Sequence, residues 1–264
     1  MRKLKLFLVA LCFVLSAGLV LSEIEPGAPT TITENRNWTV GGNGVGGVPT
    51  AVTNDRGFIY EVVIDESFQT SRWKAYVGNI TGELKLGDGS NSLVTWTLGH
   101  VTGELYATRF NGTSGDTAQG ATVGTIMWEN VACASEAILI NETAALHHNS
   151  STDVDALNLT FTNITTLTNF EVAGNTIDLS GGCYGKLLNT NGGTTTAGLW
   201  EQVVLQDTGD SQNDDLFYAV MLEHNAAGFN GQTYDFQILL PDEGTETTST
   251  SATYYFYIEL LGNT

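Results

Sequence analysis

The amino-acid sequence predicts a mainly β protein: an antiparallel β-sandwich, of jelly-roll or immunoglobulin-like type, with a small helical insertion. Three observations predict this class. Apolar and polar residues alternate with period two along several segments, many such segments lie at short spacing, and one segment between them has the composition of a helix. Alternation with period two is typical of half-buried antiparallel strands. Many short strands in succession indicate a sandwich or a barrel.

Residues 1–22 have the pattern of a secretory signal peptide. Three basic residues precede an apolar run over 6–20, and Ser22 is a small residue at the predicted cleavage point. The alternative is an uncleaved membrane anchor, but about 15 apolar residues fall short of the roughly 20 that span a bilayer. We therefore predict a secreted protein of the extracellular cell surface, without membrane insertion after cleavage.

The chain is strongly acidic. Its 29 acidic and 10 basic residues give a formal charge of −19, which becomes −22 without residues 1–22 because that segment holds three basic residues and no acidic one. Nucleic-acid binding needs clustered lysine and arginine, which this chain lacks. The charge therefore favours a soluble chain and divalent cations, and it excludes nucleic acid as the expected partner.

Residues 23–57 are predicted to form an extended N-terminal arm. They are rich in Gly, Thr, Asn and Pro, and they contain the glycine-rich run Gly41–Gly47. Such composition is typical of a linker that precedes a compact body. One short fragment, Trp38–Val40, has the composition of a strand.

The body is predicted to run over 58–264. A faint similarity between FIYEVVID (58–65) and LFYAVMLE (216–223) leaves open a division into two β domains, 58–125 and 126–264. Ordinary strand composition explains the similarity equally well. The strands are predicted over 58–65, 72–78, 80–86, 92–97, 102–109, 121–129, 171–179, 200–206, 216–223, 233–240 and 254–260.

One segment of the body predicts a helix. Ser135–His148 begins with a residue that often caps helices, has Glu136 just inside, and continues with helix-forming residues. A second short turn is predicted over 153–161. We interpret the pair as a helical insertion between strands.

Two cysteines remain after the signal peptide, Cys133 and Cys183. An even pair in an oxidising compartment usually forms a disulfide. We predict this bridge near the base of the helical insertion; two unpaired buried thiols are the alternative.

Seven Asn-X-Ser/Thr sequons predict N-glycosylation at several sites, since most lie in predicted turns or polar stretches. The alternative is the composition expected of turns rich in Asn and Thr. The sequon residues are Asn37, Asn79, Asn111, Asn141, Asn149, Asn158 and Asn163.

An acidic loop between two predicted strands is a candidate calcium site, because hard cations take six to eight oxygen ligands from flexible loops. Its spacing does not fit a known calcium-loop pattern, so a solvated hairpin tip is the alternative. No other cofactor is expected. The candidate ligands are Asp207, Asp210, Asn213, Asp214 and Asp215.

Enzymatic motifs are missing from the sequence. It contains no G-x-S-x-G elbow, no H-E-x-x-H pair and no phosphate-binding glycine loop, so we predict that the protein is not an enzyme. Tyr255 and Tyr257 alternate with the apolar face of the last strand. Aromatic residues on an outward face are typical of an interface or of a platform on which sugars stack.

Four segments of the chain resemble segments that recur in a family of secreted archaeal proteins of uncharacterised function. They are WKAYVGNITG (73–82), GELYATR (103–109), YDFQ (234–237) and TYYFYIEL (253–260). The resemblance implies an archaeal cell-surface origin and a β-rich fold. It implies no catalytic residues.

These observations predict a secreted, N-glycosylated structural subunit of an extracellular filament or surface coat, with copies of itself as the partner. Prolines are missing between Pro49 and Pro241, so edge strands lack one common block to edge pairing. The arm would add as a strand to a neighbouring subunit, with Ile32, Trp38 and Val40 as anchors. The alternative is a monomeric carbohydrate-binding or adhesion module that binds surface glycans.

Overall fold

The structure is a computed structural model that describes residues 31–34, 58–70, 72–87, 92–97, 102–109, 126–149, 152–209, 216–243 and 252–260. The strands are β1 Thr31–Glu34, β2 Phe58–Gln69, β3 Trp73–Gly87, β4 Ser92–Thr97, β5 Gly103–Thr108, β6 Val131–Cys133, β7 Thr162–Ile164, β8 Phe170–Val172, β9 Asn175–Ile177, β10 Cys183–Leu187, β11 Glu201–Asp207, β12 Leu216–Met221, β13 Ala226–Ala227, β14 Thr233–Tyr234, β15 Phe236–Pro241 and β16 Tyr255–Leu260. The helices are α1 Glu136–Ala145, α2 Leu157–Thr160 and a 3-10 turn, Trp128–Asn130.

The predicted mainly β class is confirmed, with three local corrections. The strands predicted over 72–78 and 80–86 are one continuous strand, β3. The strand predicted over 171–179 is a hairpin of β8 and β9, because Ala173 and Gly174 both have positive φ angles of 51° and 77°. Two consecutive positive φ angles are typical of the tight turns that join antiparallel strands. Within the strand predicted over 121–129, the described residues 126–129 form no strand and instead lead into the 3-10 turn.

Two sheets carry most of the described strands. The first has the order β1-β2-β3-β15, with β4 also paired to β3, and the second has the order β16-β5-β12-β11-β10-β7, with β6 also paired to β11. Each sheet combines strands from both sides of residue 125. The division of the chain at residue 125 therefore does not coincide with its division into sheets.

The two sheets share one hydrophobic core, an arrangement consistent with the predicted sandwich. Val62 and Ile238 enter this core from the first sheet, and Val220 and Phe256 enter it from the second. A second core covers the opposite face of the second sheet, where Trp128 packs among apolar residues of its central strands. Strands β5, β11 and β12 are consequently buried on both faces.

The predicted helical insertion is confirmed. Helix α1 begins after Ser135, which lies at the N-cap position with extended backbone, although the Ser135 side chain makes no capping hydrogen bond. The helix buries Leu139 completely. A buried ion pair of 2.8 Å between Arg109 and Glu142 also ties it to the end of β5. Helix α2 lies within the predicted short turn. Within the described part of the chain, no helix has both the length and the apolar character that crossing a bilayer requires.

The predicted disulfide is present between Cys133 and Cys183, whose Cα atoms lie 5.4 Å apart. Cys133 ends β6 and Cys183 begins β10, and both strands pair with β11. The bridge therefore links β6 and β10, two short strands that pair with successive parts of β11.

Removal of this bridge is expected to lower the free energy of unfolding by about 2–4 kcal/mol. The cross-link closes a loop with a sequence separation of 50 residues, and such a loop restricts the unfolded chain strongly. The measurement is urea unfolding of the double variant C133A/C183A. Dithiothreitol should destabilise the wild type to a similar extent and leave the variant unchanged; equal stability of wild type and variant would contradict a structural role for the bridge.

Candidate functional site

The strand β1 marks the first candidate interface. It pairs in parallel with β2, with Thr31 opposite Glu61 and Glu34 opposite Ile64. Ile32, one of the predicted anchors, lies opposite Val62, whose side chain is in the shared core. The arm therefore contributes a strand that lies earlier in the chain than the predicted fragment. That fragment, Trp38–Val40, with its predicted anchors Trp38 and Val40, lies outside the described residues.

The connection from β1 to β2 is long. Residues 35–57 lie between the two strands, and such a stretch spans up to about 80 Å when fully extended, at 3.3–3.6 Å per residue. A parallel pair needs a connection of roughly a dozen residues or more. The connection formed by residues 35–57 is thus about twice as long as a parallel pairing of β1 with β2 of the same chain requires.

An apolar cavity of about 260 Å³ is lined mainly by residues of the first sheet. Phe68, Ala75 and Leu239 line it from β2, β3 and β15, and Leu188 and Phe229 line it from segments between strands. Phe68 is 43% exposed, and its ring meets that of Phe229 edge to face at 5.1 Å between centroids. Residues of five separated segments line this cavity, and sequence reasoning did not identify it.

The polar side-chain atoms of Gln237, which lines the cavity, are already used within the protein. The Gln237 side-chain oxygen accepts a hydrogen bond from the Phe229 backbone N–H at 2.9 Å. The Gln237 side-chain nitrogen donates to the Asn189 carbonyl at 3.2 Å. Because sugars require several polar partners, this cavity suits an apolar side chain better than a sugar.

A second exposed apolar feature lies on β4. This strand pairs with β3, and Leu93 and Trp96 are 82% and 48% exposed. Exposed apolar side chains on such a strand are typical of a surface at which chains associate.

The tyrosines of the last strand lie closer to the core than the sequence predicts. Tyr255 and Tyr257 are half-buried, and the Tyr257 ring lies 5.4 Å from the Trp128 ring, within the second core. The prediction of an outward aromatic face overlooked this second core. Their role at an interface stays a prediction.

Two buried carboxyl groups meet across β5 and β16. Glu104 and Glu259 are register partners, and their residues are only 3% and 2% exposed. One Glu259 carboxylate oxygen accepts hydrogen bonds from the Tyr106 hydroxyl and the Ala173 N–H, both at 3.0 Å. A Glu104 carboxylate oxygen has no hydrogen-bond partner. Like charges directly opposite each other destabilise a sheet.

The environment of this pair raises the pKa of both carboxyls. Burial is the largest cause for Glu104 and the Glu259 charge is the second. They outweigh the hydrogen bond from the Glu171 backbone N–H, which lowers the pKa, and raise the pKa of Glu104 to about 8. Burial likewise raises the pKa of Glu259. The pKa of Tyr106 is raised well above its ordinary value for the same reasons. Because both residues are almost completely buried, the pair suits a proton-dependent contribution to stability.

The acidic loop begins with Asp207, the one member of the candidate calcium site that the structure describes. Its two carboxylate oxygens accept hydrogen bonds from the backbone N–H groups of Met127 and Gly209, both at 2.8 Å. Asp207 therefore stabilises the start of the loop. Among the described residues, no three acidic, histidine or cysteine side chains are placed to hold a metal ion. The other four candidate ligands lie outside these residues, and calcium binding stays a prediction.

The sequons differ in their exposure. Asn141, Asn149 and Asn163 are exposed, and Asn158 is half-buried. The Asn79 side chain is half-buried, and its amide nitrogen, the atom that a glycan would modify, donates a hydrogen bond of 2.6 Å to Asp65. The remaining two sequon residues, Asn37 and Asn111, lie outside the described part of the chain.

Comparisons with known proteins yielded no match: no protein-family model, no curated protein and no solved structure matches this chain.

Proposed function

We propose that this protein is a secreted structural subunit that assembles with copies of itself into a filament or coat, the arm strand of one subunit adding to the β2 edge of the next. The observation that supports this best is the parallel pairing of β1 with β2, connected by residues 35–57. A strand on so long a tether can make the same contacts with another copy. Exchange of an identical element between copies is a low-cost route to association.

The energetics of such an exchange are favourable. The main-chain hydrogen bonds between β1 and β2 are the same within one chain and between two chains. Exchange therefore costs mainly the entropy of association, which new contacts between subunits offset. The exposed Leu93 and Trp96 on β4 are suited to supply such contacts.

Glycosylation would direct this assembly. Asn163 is exposed on β7, at the edge of the second sheet. A glycan there would shield that edge from pairing, as charged residues and prolines do in other sheets. The β2 edge, by contrast, carries the sequon-free strand β1.

Paired cysteines test the proposal directly. Thr33 and Val63 are register partners of β1 and β2, and neighbouring strands lie close enough for a disulfide. Subunits carrying only T33C and subunits carrying only V63C would be mixed, assembled and oxidised. We expect a disulfide-linked dimer of the two chains in assembled material.

The control is the doubly substituted chain K85C/T95C, a register pair of β3 and β4 that must link within one chain. If the mixed single-cysteine chains give no dimer, while T33C/V63C in one chain cross-links internally, the arm strand belongs to its own subunit and the proposal is wrong. Sedimentation of the untreated protein reports assembly independently.

The alternative, a monomeric carbohydrate-binding or adhesion module, has weaker support. Its predicted aromatic platform is partly packed into the second core through Tyr257. The apolar cavity also offers few free polar partners for a sugar, since both polar atoms of the Gln237 side chain are engaged.

A further inference from the structure

We propose that the hairpin of β8 and β9, residues 170–177, is a flap whose docking on the second sheet depends on a proton held by the Glu104–Glu259 pair. The flap is docked while the pair holds this proton, and it is released when both carboxyls are ionised. The inference is independent of the proposed assembly. It assigns to the pair a local conformational change that opens the second core at one place while both sheets stay intact.

The flap has few main-chain bonds to the rest of the protein. Among the described strands, β8 and β9 pair only with each other, over three residue pairs. Phe170 and Val172 are fully buried in the second core, whereas Glu171 between them is exposed. Elements attached in this way belong to the parts of a fold that open locally before the whole chain unfolds.

The carboxyl pair supplies polar contacts that hold the flap. A Glu259 oxygen accepts a hydrogen bond from the Ala173 N–H at 3.0 Å. A Glu104 oxygen accepts one from the Glu171 N–H at 3.4 Å. The Tyr106 hydroxyl lies 3.0 Å from the Glu171 carbonyl oxygen. These contacts join the backbone of the flap to side chains of β5 and β16.

These contacts need one more proton than the hydroxyl of Tyr106 provides. That hydroxyl lies 3.0 Å from both the Glu171 carbonyl oxygen and a Glu259 oxygen, but its single proton serves one of them at a time. The other Glu104 oxygen is buried without a hydrogen-bond partner. A proton on the carboxyl pair supplies the missing donor. Without that proton, one oxygen loses its bond and Glu104 becomes a buried charge, which is costly.

The groups around Glu104 oppose its ionisation. The charged groups that act on it are the carboxylates of Glu259 on β16 and Glu171 on β8. The β12 register partner of Glu104 is the apolar residue Met221, and Tyr106 on β5 stays neutral because its pKa is raised well above the ordinary value. Ionisation of both members of the pair therefore places two like charges opposite each other at a buried position.

Release of the flap brings water to the pair at low cost. Strand β5 lies between β12 and β16 and pairs with β16 over six residue pairs, so separating these strands would break many main-chain bonds. Undocking the flap breaks few. Ala173 also has a φ angle of 51°, in the left-handed region that is unfavourable for residues with a side chain. Release relieves this strain.

The deciding experiment is hydrogen exchange of the mature full-length protein from about pH 5.5 to 8.5, followed by mass spectrometry on peptides that cover residues 170–177. Rates are corrected for the intrinsic pH dependence of exchange. In the released flap Glu104 regains its ordinary pKa of 4.5, against about 8 when docked. The opening equilibrium therefore rises with pH up to about 8 and then levels off. We expect the protection of the flap to fall at least tenfold between about pH 5.5 and 8.

Dilute urea separates release of the flap from unfolding of the whole chain. Local opening exposes little surface, so exchange in the flap should change little with urea below the unfolding transition. Exchange in β11 and β12, which are buried on both faces, should need global unfolding and accelerate steeply with urea. The flap should also be less protected than these two strands at every pH.

Variants test the assignment to the buried pair. E104Q should keep the flap protected over the whole pH range, because glutamine stays neutral. E259Q should have a similar effect, since its side-chain oxygen still accepts the Ala173 N–H. The matched control is E171Q, which removes an exposed charge from the flap itself and should keep the wild-type pH dependence.

Three results would overturn the inference. The first is a wild-type flap whose protection does not change with pH. The second is a flap that exchanges as slowly as β11 and β12 and with the same urea dependence, since it would then open only when the whole chain unfolds. The third is an E171Q variant that loses the pH dependence as fully as E104Q, because the charge of the flap, and not the buried pair, would then control its release.

Discussion

Deletion of residues 23–48 is expected to abolish assembly and to leave a folded monomer. The deletion removes β1 and Trp38, and with them every contact that the proposed assembly assigns to the arm. The rest of the first sheet keeps the long hairpin of β2 and β3 and its pairing with β15. Loss of one four-residue strand at a sheet edge should therefore lower the free energy of unfolding by only about 1–2 kcal/mol.

The measurement is sedimentation of the truncated and the full-length mature protein, with urea unfolding to verify the fold. The point variant I32P should reproduce the loss of assembly, since proline removes a main-chain donor within β1. The variant I32V keeps a β-branched residue at that position and should assemble normally. A truncated chain that still sediments as polymer would exclude the arm as the link between subunits.

A synthetic peptide of residues 23–48 provides a complementary result. It should bind the truncated chain one to one and give no polymer, because the peptide has no β2 edge to which a further arm could add. Added in excess to full-length protein, the same peptide should occupy β2 edges and suppress growth. The peptide with proline at position 32 is the matched control for both effects.

The second large effect concerns the buried carboxyls of β5 and β16. The pKa of Glu104 rises from 4.5 to about 8 in the folded protein. A group whose pKa is higher in the folded state favours folding when it is protonated. Its contribution is therefore complete below about pH 4.5 and is lost as the pH rises to about 8. One pKa unit corresponds to about 1.4 kcal/mol, so the full loss is on the order of 4–5 kcal/mol.

The variant E104Q is expected to remove most of this dependence. A glutamine at position 104 is neutral at every pH, like the protonated carboxyl, and avoids the repulsion from Glu259. Urea unfolding at pH 5, 7 and 9 should show similar stability for wild type and variant at pH 5, and a more stable variant by several kcal/mol at pH 9. The general charge repulsion in a chain with formal charge −19 is nearly the same in wild type and variant. The difference between their stabilities therefore reports the effect of the Glu104–Glu259 pair.

Glu171 provides the matched control. Its side chain lies on β8 near the pair but is exposed, so E171Q should change the stability at pH 9 by about 0.5 kcal/mol or less. If the stability of E104Q followed the same pH profile as that of the wild type, ionisation of Glu104 would not be what destabilises the folded protein at high pH.

Local patterns predicted much of the fold. Period-two alternation located β2 and β16, and the composition of Ser135–His148 located α1 within a few residues. These predictions succeed because each depends on neighbours along the chain: side chains alternate across a strand, and helix formers follow a capping residue. The disulfide followed from the fact that only Cys133 and Cys183 remain after the signal peptide.

Local patterns failed where turn geometry or a second core intervened. The positive φ angles at Ala173 and Gly174 divide a predicted strand into a hairpin. The second core partly covers Tyr257, which the alternation placed on an outward face. An alternating pattern identifies the two faces of a strand, but it does not show whether the polar face meets water or another layer of protein.

The sequence by itself determined the class of the protein, most of its strands, its helical insertion and its disulfide. Only the tertiary structure decided that β1 lies parallel to β2, that Glu104 and Glu259 are opposite each other, and that Phe68 shares a cavity with Phe229. The physical reason is that these relations depend on strand order and register. Both are set by contacts between residues far apart in the chain, and a shift of one residue would move every side chain of a strand to the other face.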